Sequence, residues 1–80
     1  MWEEKDGYLR KEFSFSSFDD AQKFVNQAAE IAKAENHHPV VIWDYDKVII
    51  RSSTHSAGHV VTKKDHELAN RIDNLQNNEV

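Results

Sequence analysis

The chain contains one proline, Pro39, and it directly follows two histidines. Proline lacks a backbone N–H and pushes the residue before it out of the α region. Any helix approaching it must therefore end by His38. The chain is thus divided near its middle at a helix-to-strand corner that carries His37 and His38.

Before the corner, Asp6-Gly7 is a turn dipeptide that tolerates positive φ. Leu9, Phe13 and Phe15 alternate with Tyr8, Arg10, Glu12 and Ser14, so period two places them on one face of a strand. Its hairpin partner is the short stretch around Trp2 to Glu4. Ser17 is an N-cap, and Asp20 three positions on completes a capping-box pattern. Phe18, Ala21, Phe24, Val25, Ala28, Ala29 and Ala32 then recur at helical spacing.

After the corner, Val40-Val41-Ile42-Trp43 and Val48-Ile49-Ile50, the latter extending to about Ser53, are short β-branched runs. Asp44-Tyr45-Asp46-Lys47 is the tight connection between them. Their near-continuous apolarity predicts central strands, or a face given to a partner subunit. Ser56-Ala57-Gly58-His59 is a loop. Thr62 and Asp65 form a second capping-box pattern, followed by the stripe Leu68, Ala69, Ile72 and Leu75. This helix is expected to fray into Asn77-Asn78-Glu79. The order ββαββα predicts an α+β fold, a four-stranded antiparallel sheet with helices on one face.

Eighty residues allow a single domain, residues 1–80. The absence of cysteine excludes disulfides, cysteine–zinc sites, iron–sulfur clusters and a thiol nucleophile. No apolar run reaches the roughly 20 residues of a membrane helix, and no secretory signal is seen. The expected compartment is cytosolic or nuclear. A net charge of −4 argues against a general phosphate-binding protein and against direct nucleic-acid binding. A domain this short buries only about 60% of its unfolded surface, so a shared core and an oligomer are expected.

Five histidines are many for this length. The hairpin after Pro39 turns near residues 44–47 and runs back, which returns Thr54-His55 to the His37-His38 corner. Three readings of that cluster compete. Imidazole titrates near neutrality and suits general acid–base work. Three histidines can also hold zinc, although adjacent histidines converge poorly and no HExxH spacing is present. The third reading is polar corner residues, one of them capping the helix C-terminus. Trp43 and Tyr45 are candidates for pocket walls or for packing. His66 reads as a solvated first-turn residue, and His59 as an exposed loop residue within reach of the cluster. Ser53 and Ser56 flank His55 without a nucleophile elbow.

His37-His38-Pro39, five residues, Tyr45, nine residues and His55 together resemble the signature of the pterin-4a-carbinolamine dehydratases, also called 4a-hydroxytetrahydrobiopterin dehydratases. Asp46-Lys47-Val48 to Ser53-Thr54-His55 resembles the family's hairpin strand. Thr62-Lys63-Lys64-Asp65 with Glu67-Leu68-Ala69 resembles its last helix, and Phe13-Ser14-Phe15 with Phe18 and Ala21 the lead into its central helix. The resemblance implies a dehydratase that converts 4a-hydroxytetrahydrobiopterin to quinonoid dihydrobiopterin, in tetrahydrobiopterin recycling, with no metal or organic cofactor. It implies a pterin substrate, a homodimer or homotetramer, and a cytoplasmic or also nuclear location. His37, His38 and His55 would be the catalytic set. Asp65, Trp43, Tyr45, Pro39 and Thr54 would bind substrate or support that set.

Some members stabilise the dimer of a homeodomain transcription factor. The alternative is therefore a catalytically weak dimerisation or coactivator scaffold of the same fold. Three features differ from the common pattern. Lys33 stands where the family usually has a carboxylate, with Glu30 and Glu35 nearby. The segment from His55 to Asp65 is one residue longer, with Gly58-His59 for the usual Gly-Gly. Longer members open on a helix, and this sequence opens on the hairpin.

Overall fold

The computed structural model describes residues 1–77. Strands β1 (Glu3–Lys5) and β2 (Tyr8–Ser14) lead into helix α1 (Phe18–Glu35). Strands β3 (Val40–Asp44) and β4 (Lys47–Ser52), a 3₁₀ turn (His55–Ala57) and helix α2 (Lys63–Asn77) follow. The predicted order ββαββα is observed. The expected fraying at Asn78-Glu79 lies outside the described residues.

The four strands form one antiparallel sheet in the order β1-β2-β4-β3. The β1–β2 turn is Asp6-Gly7, both at positive φ (54° and 83°), as a two-residue hairpin requires. Pairing of Phe13 with Val48 and of Lys11 with Ile50 puts one apolar row on a single face. Phe13, Val48 and Ile50 share one buried cluster with Ala21, Phe24 and Ala28 of α1 and Leu68 and Ile72 of α2. Both helices therefore cover that same face.

Ser17 caps α1 by accepting from the Asp20 N–H at 3.1 Å. The reciprocal half of the box is absent, because the Asp20 carboxylate accepts from the Ser16 hydroxyl at 2.9 Å instead. Phe18 is not a core residue. It is 41% exposed at the first position of α1, where its ring reaches past the helix end to Trp43. Ala29 is exposed as well, at the margin of the stripe.

β4 is central, as its apolar run predicts. β3 is instead an edge strand, and Val40, Val41, Ile42 and Trp43 are each between 37% and 43% exposed.

Candidate active site

The site begins at the end of α1. Asn36 adopts φ 51°, the left-handed conformation that ends a helix, and its N–H bonds back to the Lys33 carbonyl at 3.2 Å. The His37 N–H bonds to the Ala32 carbonyl at 3.0 Å. With Pro39 barring a further turn, the chain leaves the helix here, and His37 and His38 face different surroundings.

On the neighbouring strand, β4 ends at Ser52 and Thr54 caps the short turn that begins with His55. A cavity of about 280 Å³ is lined by Asn36, His37, His38, Ser53, Thr54, His55, Ser56 and Lys64. All three histidines of the predicted set therefore meet. His38 and His55 are exposed and His37 is half-buried.

Beneath the cavity lies Asp65, wholly buried in the first turn of α2. One carboxylate oxygen accepts from His37 Nε2 at 2.6 Å and from the Ser52 hydroxyl at 2.5 Å. The other accepts from the Thr54 hydroxyl at 2.8 Å and the Thr62 N–H at 2.8 Å. The last bond is the reciprocal half of the predicted capping box, so one carboxylate serves helix and site together. Because Thr54 gives its single proton to Asp65, Thr62 must donate to Thr54, at 2.5 Å. No buried side-chain nitrogen or oxygen among the described residues lacks a partner.

Burial pushes the Asp65 carboxyl up, but the bonds from His37, Ser52, Thr62 and Thr54 outweigh it. The net result is a pKa held below the usual carboxylate value. Asp65 is then an anion at neutral pH and can only accept, so His37 must donate from Nε2. The nitrogen of His37 left for other partners is Nδ1.

Trp43 and Tyr45 are not in this cavity. They sit at the far end of β3, roughly 16 Å along the strand from His38. There Phe18 packs on Trp43 with ring centroids 4.8 Å apart and on Tyr45 at 5.8 Å. Trp43 Nε1 donates to the Tyr45 carbonyl at 2.8 Å. Pro39 lies at the corner and does not line the cavity. Glu35 bonds to Arg71 at 2.5 Å, so it is engaged away from the histidines, and Lys33 and Glu30 are exposed on α1.

Three contributors were weakly signalled. Ser52 and Thr62 join the Asp65 network, and only Thr62's capping position hinted at it. His59 is exposed in its loop, as the sequence suggests, and does approach the cluster. Its ring lies against that of His55, with centroids 4.0 Å apart.

A family model described as pterin 4 alpha carbinolamine dehydratase matches residues 1–75. A protein of Sulfurisphaera tokodaii, provisionally named as a pterin-4-alpha-carbinolamine dehydratase, is 43% identical over 74 residues, 92% of this chain and 78% of its own. One from Opitutus terrae, with the same provisional name, is 46% identical over 67 residues, 84% of this chain and 69% of its own. The crystal structure of a transcriptional coactivator/pterin dehydratase from Brucella melitensis superposes with TM-score 0.84 at 31% identity. It covers 90% of this chain and 78% of that one. A pterin dehydratase-like protein described as a RuBisCO assembly factor in the alpha-carboxysome shares the fold, with TM-score 0.78 at 23% identity over 92% and 87% of the two chains. The chain belongs to the pterin-4a-carbinolamine dehydratase family.

Proposed function

We propose that this chain is a hydro-lyase that removes water from 4a-hydroxytetrahydrobiopterin, giving quinonoid dihydrobiopterin, and serves tetrahydrobiopterin recycling in the cytoplasm. The observation that carries this reading is His37 seated on buried Asp65 in a cavity shared with His38 and His55. Dehydration breaks the C4a–O and N5–H bonds and forms a C4a=N5 double bond. One proton goes to the departing hydroxyl and another leaves N5, so the atoms lost are those of water. Imidazoles suit both transfers near neutral pH, and general acid–base catalysis contributes typically about 10²- to 10⁴-fold.

His38, or His37 through Nδ1, delivers the proton to the hydroxyl. His55 orients the pterin and handles the N5 proton. Asp65 keeps His37 in one orientation with Nε2 protonated, the usual work of a carboxylate behind a histidine. The reaction calls for neither metal nor organic cofactor.

A second reading, a dimerisation or coactivator-type scaffold, is favoured by one observation. The edge strand β3 exposes apolar side chains along its length, and the Phe18–Trp43–Tyr45 cluster extends that surface at the end opposite the histidines. That surface suits a homo-oligomer, and oligomer and enzyme are compatible.

Titration with a stable reduced pterin, followed through the ¹⁵N signals of the imidazoles, tests the substrate class. Saturable shifts at His37, His38 and His55, with His66 on the outside of α2 unmoved, are expected. Shifts spread evenly over all five histidines, or none, would contradict it.

A further inference from the structure

The sheet face turned away from the helices carries a second cavity, of about 250 Å³, lined by Lys5, Asp6, Tyr8, Arg10 and Arg51. Arg10 of β2 and Arg51 of β4 are register partners and stand directly opposite each other. Like charges in that position destabilise a sheet unless something lies between them. Both arginines are half-buried. The β3 partner of Arg51 is Val40, so its stem runs beside apolar surface that strengthens any charge interaction there.

The carboxylates nearby match only part of this charge: Glu3 stands opposite Arg10 in the β1–β2 register. Glu3 reaches Arg10 only at 3.8 Å and is well exposed. Arg51 has no carboxylate within ion-pair distance among the described residues, and its guanidinium lies 4.4 Å from the centre of the Tyr8 ring. Three cations and one carboxylate, Asp6, therefore line the cavity in a chain whose net charge is −4. The walls are held in place: Lys5 pairs with Tyr8 at the two-residue turn. Gly7 of that turn is backed so closely by the His59 carbonyl that an added Cβ would come within 2.7 Å of it.

We propose that this face is a phosphate-binding site, separate from the histidine cavity, in which Lys5, Arg10 and Arg51 hold the phosphoryl group of a small phosphate monoester. Guanidinium pairs suit oxyanions because their N–H groups bind two oxygens at once. A phosphate monoester near pH 7 carries between one and two negative charges. Asp6 and Glu3 leave the three cations in excess, and a phosphoryl group offers them three acceptor oxygens where a carboxylate offers two.

The test is a ¹H–¹⁵N titration of the full chain with inorganic phosphate against chloride at equal ionic strength. Acetate is titrated in parallel, and co-sedimentation with phosphatidylglycerol vesicles is measured. The expected result is saturable shifts at the Nε–H groups of Arg10 and Arg51 and the amides of residues 5–10, with phosphate bound more tightly than acetate. Arg51→Gln and Arg10→Gln should each weaken binding about tenfold or more while dehydration stays at the wild-type rate. Shifts that do not saturate, that persist in both variants, or that centre on His37 and His55 would overturn the proposal. Acetate binding as tight as phosphate would overturn the phosphate class. Sedimentation with vesicles without saturable phosphate binding would assign the face to a lipid surface instead.

Discussion

Removing the charge of Asp65 would leave Ser52, Thr54 and His37 Nε2 donating to a weaker acceptor at a wholly buried position. Asp65→Asn keeps the shape but brings an NH₂ group against donors. Breaking one partner of a buried pair costs on the order of 3 kcal/mol, and thermal unfolding at pH 7 should show that loss. The sign with pH follows from the lowered pKa of the folded state. The contribution is fully present above the ordinary carboxylate value, about 3.9, and is lost as pH falls through the lower folded value. The gap in unfolding free energy between wild type and Asp65→Asn should therefore narrow as pH falls below about 3.9. A gap that stays the same into strong acid would contradict this account. At the same scale, His59→Gly removes the ring packed on His55 and relaxes a backbone at φ 61°. We expect an unchanged or higher melting temperature and weaker substrate binding, read as a raised KM. An unchanged KM would mean that His55 needs no neighbour to hold its ring.

At the scale of elements, the corner between α1 and β3 decides where two histidines stand. Pro39 made that corner legible, because it limits the helix on steric grounds alone. Asn36 was legible only in hindsight: left-handed caps favour glycine, and asparagine is the commonest substitute. Asn36→Ala should cost about 1 kcal/mol through its left-handed φ, whereas Asn36→Gly should cost little. Chemical denaturation of the two variants checks this. Equal losses would show that the Asn36 side chain, and not its backbone, is what matters. The second capping pattern, Thr62 with Asp65, marks a helix start in the sequence and in the structure alike. That the same carboxylate reaches His37 was not legible, since it depends on how α2 packs over the end of β4.

Across the whole molecule, the sheet order placed β4 inside and β3 at the edge, although both runs are almost wholly apolar. Hydrophobic pattern marks a strand as buried somewhere, but it does not say whether the cover comes from its own chain or another. The same limit misplaced Trp43 and Tyr45, whose neighbour Phe18 reads as core by period. They lie at the opposite end of β3 from the histidines, and no count of residues along one strand shows which end faces a cavity. The exposed apolar edge leads us to expect self-association through β3, since uncovered edges pair readily. Sedimentation should find a dimer or tetramer, and Ile42→Lys should shift it to monomer with the helical signal intact. A monomeric wild type at micromolar concentration would contradict this.

The central claim is that the three gathered histidines perform the dehydration. Its most direct test is the rate of water loss from freshly generated 4a-hydroxytetrahydropterin with wild type, His38→Ala and His55→Ala. The account predicts strong acceleration by wild type and a loss of about 10²-fold or more in each variant. Three equal rates at the uncatalysed level would contradict it and leave the fold as a binding scaffold.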